Sequence, residues 1–334
     1  MGTTKVAVLG GGSWGTTVAA LATRNVPVTL WARNPRTADE INTSHRNETY
    51  LPGASLPEKL HATSDLAEAV ADADVLVVAI PSQHFRKVLT DAAAFLRAGI
   101  PVVSLTKGLE AGSHLRMTEI IHEVLPGHPA AVLTGPNLAR EIMDGKAAAS
   151  VIAMEDETLL QELQGAFGNS LFRVYTNPDI IGCELGGVLK NIIAIAVGMG
   201  DGRGAGDNTR AALITRGLAE MTRLGVAMGG QAETFAGLAG MGDMIATCTS
   251  PQSRNHYVGV ELGKGRELQD ILDEMVMVAE GVKSAPAVMA LSQEFGVEMP
   301  IASEVYRVLS GESNSSRAFR GLLRVVAGAE SEPG

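Results

Sequence analysis

Two cysteines, Cys183 and Cys248, are all the chain holds in 334 residues, so there is no disulfide framework, no CxxC pair and no metal-ligand spacing. That scarcity suits a reducing compartment. Aromatic residues make up only 4%, so a core must be assembled mainly from Val, Ile, Leu, Ala and Met. Positive charge is also short: 27 Lys and Arg against 37 Asp and Glu give a formal net charge of −10. A surface of that sign excludes sequence-independent nucleic-acid binding, while leaving small anions open to a local cationic site. The N-terminal apolar run V-A-V-L-G after M-G-T-T-K is too short for the apolar region of a signal peptide, and a cytoplasmic location is expected.

What is present is a hydrophobic content of 46%, too high for a disordered chain, and a length beyond one ordinary core, which predicts two domains. The one long apolar stretch, residues 180–200, carries Glu184, Lys190 and Asn191 and is rich in glycine. It reads as a buried helix of a soluble protein and not as a transmembrane span. Short β-branched and aliphatic runs at 5–10, 27–31, 74–80, 100–105, 130–133, 147–153 and 172–175 alternate with helical patterns such as 64–71 and 157–167. The run D-V-L-V-V-A-I at 74–80 lacks polar alternation, as a strand covered on both faces does. This alternation predicts a doubly wound, mostly parallel sheet over residues 1–180. Beyond Pro178 helical patterns replace the strands, which predicts an all-α domain over 181–328 and a flexible tail at 329–334.

The first strand runs straight into Gly10-Gly11-Gly12-Ser13-Trp14-Gly15 and then a helical pattern, which is G-x-G-x-x-G in its setting of strand, turn and helix start. Gly10 permits the turn, Gly12 lets the backbone approach a pyrophosphate, and Gly15 allows close packing of helix on strand. The helix N-terminus offers N–H groups to phosphates. This is the Rossmann dinucleotide signature; the bland alternative is a glycine-rich turn of a flavodoxin-like fold. Where an NAD-selective fold places an acid at the end of the second strand, this chain has Arg33, which favours NADP(H) while leaving NAD(H) possible.

The loops after later strands face the edge where open α/β sheets bind ligands. His84 could be an acid or base there, but a role in capping the next helix is the better expectation. Lys107 at the end of 100–105 would reach a cofactor or substrate, or stand on the surface before a turn. Thr134-Gly135-Pro136-Asn137 with Leu138-Ala139-Arg140-Glu141 makes a further strand, turn and helix start.

In the helical half, Lys190 sits among aliphatic and small residues. It either snorkels from a half-buried helix or is a partly desolvated general base. The glycines Gly186 and Gly187 beside it read as clearing room for substrate. Residues 201–209, D-G-R-G-A-G-D-N-T, form a connection or a loop over a ligand. Arg216 and Glu220, at i,i+4 spacing, read as a solvated or structural pair. Asp243 would cap a helix or orient Lys190. Ser253, Arg254 and Asn255 offer charge and neutral hydrogen bonds to a phosphate-bearing small molecule. Met275 to Val278 read as core, within a helical remainder running from Glu267 to Val326.

Taken in order, G-G-G-S-W-G-T at 10–16, S-L-T-K-G-L-E around Lys107, T-G-P-N-L-A-R-E at 134–141, G-V-L-K-N at 187–191, G-R-G-A-G-D-N-T at 202–209, A-G-M-G-D at 239–243, S-R-N at 253–255 and V-A-E-G at 278–281 span nearly the whole chain. Together they resemble bacterial-type NAD(P)-dependent glycerol-3-phosphate dehydrogenase. The resemblance implies hydride transfer between sn-glycerol 3-phosphate and a nicotinamide, giving dihydroxyacetone phosphate, to supply glycerol 3-phosphate for phospholipid synthesis without a metal; the long helical second half, of a kind that often dimerises, adds the expectation of a homodimer. It makes Lys190 the proton acceptor, with Lys107 and Asp243 also catalytic. It lines the cofactor site with Gly10, Gly12, Ser13, Trp14, Gly15, Arg33, Lys107, Ala139, Arg254, Val278 and Glu280. Around the substrate it places Lys107, Gly135, Asn137, Lys190, Asp243, Ser253, Arg254 and Asn255. Asn137 departs from the Ser that many bacterial members carry. The rival readings are a hydroxyacid or phosphogluconate dehydrogenase of the same plan and a redox-sensing module that binds NADP(H) without turnover.

Overall fold

The computed structural model describes residues 4–324, so the expected tail at 329–334 lies outside the described residues. The chain divides into two compact units, Met1–Lys107 with Leu115–Ile180, and Gly108–His114 with Ile181–Gly334.

The first unit runs β1 (Val6–Leu9), α1 (Ser13–Ala22), β2 (Val28–Trp31), α2 (Pro35–Ser44), β3 (His61–Thr63), α3 (Leu66–Val70), β4 (Val75–Val78), α4 (Ser82–Ala93), β5 (Val102–Ser104), α5 (Met117–Val124), β6 (Ala130–Thr134), α6 (Ala139–Met143), β7 (Ala148–Ala153), α7 (Glu157–Phe167) and β8 (Phe172–Asn177). The eight strands line up as β3-β2-β1-β4-β5-β6-β7-β8, and every pairing is parallel except β6 with β7. This is the expected doubly wound sheet, with its order reversing between β1 and β4, where such sheets open a ligand crevice. Successive residues of β1 and β4 enter two separate cores, Val6, Val8, Val75 and Val77 on one face and Ala7, Leu9, Leu76 and Val78 on the other. Both faces are covered, and the strands read as continuous apolar runs for that reason. β3 has no counterpart among the expected strands; H-A-T is too short and too polar to show a period, and pairing with β2 makes it a strand.

The second unit is helical: α8 (Ile180–Gly202), α9 (Asp207–Ala227), α10 (Ala232–Ala236), a π-helical turn (Leu238–Gly242), α11 (Asp243–Thr249), α12 (Arg254–Gly263), α13 (Leu268–Asp273), α14 (Glu280–Glu294), α15 (Pro300–Leu309) and α16 (Ser315–Arg324). α8 is apolar and long enough to cross a membrane by composition, yet 89% of its apolar window is buried inside the fold, where it forms the axis of the core. Leu109, from the detached segment Gly108–His114, joins the same core.

Glycine sets how closely α12 lies against α8. A Cβ on Gly198 or Gly202 would run into the carbonyls of His256 or Val260, and one on Gly259 or Gly263 into those of Ile195 or Met199. The two backbones touch along this seam, as small residues permit. Gly186 does the same for the π-helical turn, since a Cβ there would stand 2.6 Å from the Ala239 carbonyl oxygen. The space expected for substrate beside Lys190 is therefore filled, at Gly186, by backbone.

Other expectations also change. Glu220 is buried and not solvated: its oxygens accept the Ile301 and Ala302 N–H groups at 2.7 and 3.2 Å, capping α15 from α9. Of Met275–Val278 only Met275 packs against the helical core, half-buried, while Val276 is 77% exposed and Val278 38%. His84 is exposed and caps nothing; α4 starts behind Pro81 with no side-chain cap.

Candidate functional site

In the first unit the glycine-rich turn occupies the carboxyl end of β1. Gly10 has φ +122°, a left-handed conformation that a side chain would strain, and its Cβ would press on the Ala79 carbonyl. A Cβ on Gly15 would strike the Gly10 carbonyl, so the third glycine is what lets α1 close on the strand. A Cβ on Gly12 meets nothing within 4 Å, and α1 begins at Ser13 with no side chain capping it. Open space ahead of an uncapped helix N-terminus is a cradle that a pyrophosphate fits. Trp14 packs half-buried on the sheet core, edge-on to Phe172 at 6.2 Å between ring centres, and its buried indole N–H has no partner. Arg33 stands exposed after β2, and Arg36 stands exposed one residue inside α2.

Asn47 was hidden in a segment that reads only as polar and proline-punctuated. It is fully buried, and its amide donates to the Gly11 carbonyl and to Thr16 Oγ1, both at 2.9 Å. It ties the glycine-rich turn to α1 across more than thirty residues of sequence, a distance at which no local pattern operates.

At the ends of β5 and β6, Lys107 Nζ donates to the Gly135 carbonyl at 2.8 Å. Gly135 has φ +127°, and a Cβ there would lie 3.2 Å from the Ser150 backbone. Asn137 donates through Nδ2 to Ser150 Oγ at 3.1 Å, and Ser150 donates to the Thr134 carbonyl at 2.7 Å. Ala139 opens α6, and the neighbouring Arg140 donates to the Pro52 carbonyl. Lys107, Gly135 and Asn137 thus form one group.

In the second unit Lys190 is buried, at 6% exposure, in the middle of α8. Its ammonium donates to Asp243 Oδ1 at 2.6 Å and to the Thr247 hydroxyl. The Thr247 hydroxyl donates in turn to the Asp243 carbonyl at 2.7 Å. Asp243 is the first residue of α11, and its carboxylate turns to the lysine instead of capping. The fold produces this pairing because the π-helical turn sits on Gly186, one helical turn before Lys190, and delivers α11 beside it. Buried charges persist when paired and hydrogen-bonded, which is this arrangement. Thr247 was not among the expected site residues, though its i,i+4 relation to Asp243 puts both on one helix face. Next to it Cys248 is wholly buried, and burial pushes its thiol up to about 12, which leaves it inert at neutral pH.

The close α8–α12 seam brings Asn255 to Asn191. Asn255 Nδ2 donates to Asn191 Oδ1 at 2.9 Å, while Asn255 Oδ1 accepts the Gly281 N–H at 3.0 Å. Ser253 caps α12 by accepting the His256 N–H at 3.2 Å. Arg254 is exposed and donates from Nη1 to the Val278 carbonyl at 2.6 Å, and Glu280 opens α14 two residues on. Ser253 and Asn255 thus brace the frame on either side of Arg254, which presents its charge at the surface. Among the described residues no group of three or more His, Cys, Asp or Glu side chains could hold a metal ion.

Comparison with known proteins covers the chain almost end to end. Residues 5–160 match the family model for the NAD-dependent glycerol-3-phosphate dehydrogenase N-terminus, and residues 179–320 match the one for its C-terminus. The chain is 65% identical over 330 residues to glycerol-3-phosphate dehydrogenase (NAD(P)+) 2 of Sphingopyxis alaskensis, covering 99% of each sequence. It is 54% identical to glycerol-3-phosphate dehydrogenase (NAD(P)+) of Mycobacterium avium, over 98% of this chain and 96% of that one. Its fold superposes with a TM-score of 0.92 on the crystal structure of glycerol-3-phosphate dehydrogenase from Coxiella burnetii, at 38% identity and covering 96% and 99% of the two chains.

Proposed function

The chain belongs to the NAD-dependent glycerol-3-phosphate dehydrogenase family, and on that premise we propose that it interconverts sn-glycerol 3-phosphate and dihydroxyacetone phosphate with NAD(P)(H). The observation that carries the reading is Lys190, a buried ammonium aimed by two acceptors, Asp243 Oδ1 and Thr247 Oγ1. Held by these two acceptors, the ammonium serves the C2 oxygen. In ketone reduction Lys190 gives a proton to the developing alkoxide; in alcohol oxidation the lysine, once neutral, takes it back. Asp243 stabilises the charged form throughout. The dinucleotide, when bound, supplies or accepts the hydride at its nicotinamide.

Gly10, Gly12, Ser13, Trp14 and Gly15 hold the pyrophosphate end, with Arg33 on the ribose 2′-phosphate. Ala139, Val278 and Glu280 line the remainder of the cofactor site. Lys107, Gly135 and Asn137 hold the substrate carbons, and Ser253, Arg254 and Asn255 its phosphate, to which Arg254 contributes the charge. The reading extends to a cytoplasmic homodimer that supplies glycerol 3-phosphate for phospholipid synthesis.

Following absorbance at the nicotinamide band with dihydroxyacetone phosphate tests the activity directly. Lys190→Ala should lose turnover by a factor of about a thousand or more while still binding cofactor, and near-normal kcat would remove Lys190 from the mechanism. Exposed Arg33 after β2 and exposed Arg36 in the first turn of α2 support a preference for NADP(H). Arg33→Asp should then lower kcat/KM for NADPH by about tenfold or more while sparing NADH; an unchanged ratio would refute the preference.

A further inference from the structure

One peptide of the glycine-rich turn is aimed by a residue far from it in sequence. Asn47 is fully buried and uses both protons of its amide, one on the Gly11 carbonyl and one on Thr16 Oγ1, each at 2.9 Å. A carbonyl can only accept, so Nδ2 and not Oδ1 must face Gly11, and Oδ1 is left buried without a partner. The Gly11 carbonyl and the Gly12 N–H belong to one planar trans peptide, in which they point in opposite directions. Drawing the carbonyl inward to a buried amide therefore turns the N–H outward. On the outer side there is room, since a Cβ on Gly12 would meet nothing within 4 Å, and among the described residues no carbonyl accepts this N–H. The turn cannot hold the peptide by itself. Gly11 must be glycine for space, a Cβ there lying 2.9 Å from that of Ala32, and a peptide between two glycines rotates with little steric resistance.

Resting on the dinucleotide-binding reading above, we propose that Asn47 is a positioning residue of the cofactor site: it holds the Gly11–Gly12 peptide with its N–H toward the pyrophosphate, and Thr16 holds Asn47 in place. Asn47 touches no ligand and acts through the backbone. A peptide turned the other way would present the Gly11 carbonyl to the phosphates, setting an acceptor against an anion where a donor is needed. The effect follows the pyrophosphate and is indifferent to what stands at either end of the dinucleotide. That separates it from Arg33, whose charge bears on the 2′-phosphate alone.

The test measures equilibrium binding of ADP-ribose, NADH and NADPH by titration calorimetry in wild type, Asn47→Ala, Thr16→Val and Thr16→Ser, with the melting profile of each. The three ligands share a pyrophosphate, and ADP-ribose has neither nicotinamide nor 2′-phosphate. Asn47→Ala should weaken all three by one common factor of about tenfold or more, while kcat at saturating cofactor and the KM for dihydroxyacetone phosphate stay within about threefold of wild type. Thr16→Val, which keeps the shape and removes one of the two acceptors of Asn47, should show the same pattern with a smaller loss of about threefold, and Thr16→Ser should bind as wild type does. Unchanged binding in Asn47→Ala would overturn the proposal while leaving the cofactor reading intact. So would a loss confined to NADPH, which would place Asn47 at the 2′-phosphate end, or a fall in kcat as large as the loss of binding, which would mark it as structural. Should Asn47→Ala fail to fold, Thr16→Val against Thr16→Ser decides alone, and equal binding by those two would overturn the proposal. Failure of wild type to bind any of the three ligands would bring down the cofactor reading and this proposal together.

Discussion

Lys190 is the residue on which the proposed chemistry turns, and its surroundings show how a charge is kept inside an apolar helix. Two oxygens of α11 take its protons, and one of them, Thr247 Oγ1, is itself fixed by donating to the Asp243 carbonyl. A side chain held from two directions loses little orientation when substrate arrives. Thr247→Val, which keeps the shape and deletes the hydroxyl, should lower kcat by about 10- to 100-fold with cofactor KM unchanged, and steady-state kinetics in both substrates would show it. An equal fall in thermal stability and activity would instead mark Thr247 as structural. Lys190 and Asp243 were both legible in sequence, one from its neighbours and one from the glycines before it. Thr247 was legible only in principle, through i,i+4 spacing on a helix whose start was already placed. Asn47 had no local signal, because what it bonds lies on β1's turn and α1.

At the scale of elements, backbone contacts decide the site. The glycines of α8 and α12 were visible as composition, but their work is mutual: each removes a side chain where the other helix passes. α15 depends on a cap borrowed from α9, since Glu220 accepts two N–H groups at its start. Burial raises the Glu220 carboxyl to about 7 from an ordinary 4.5, against the lowering effect of those two bonds. Between these values the folded chain holds a proton that the unfolded chain has lost. The stability it contributes is thus full below pH 4.5 and is lost as pH rises through 7. Glu220→Gln removes the titration, so the Tm of wild type should fall relative to the variant as pH is raised from about 5 to about 8. Parallel Tm curves for the two proteins would exclude the effect.

For the whole molecule, two units carry different parts of the proposed apparatus, the first a glycine-rich turn that opens onto an uncapped helix and the second a buried lysine with its acceptors. Both cysteines are buried in the second unit, and neither exposes its sulfur. A thiol reagent should therefore label Cys183 and Cys248 only at the rate of unfolding of that unit, and both should become reactive together in denaturant. Labelling of one thiol in native buffer within minutes would show that the helical core opens locally. Segment Gly108–His114 also belongs to this scale. It follows a strand of the first unit, and pattern alone leaves it there, but Leu109 finds its burial in the helical core.

The doubly wound sheet, the glycine-rich turn and the switch to helices beyond Pro178 were determined by the sequence itself, because periodicity, apolar runs and turn chemistry are local and act within a few residues. Arg33, Lys107, Lys190 and Asp243 stood out for the same reason, each being a charge in a place where charge is unusual. Tertiary structure alone decided which side chains meet: Lys190 with Thr247, Asn255 with Asn191, Asn47 with the glycine-rich turn, Ser150 with Asn137. Those pairings depend on how near two backbones can come and on which proton each oxygen has already used, and neither quantity is written at any single position of the chain.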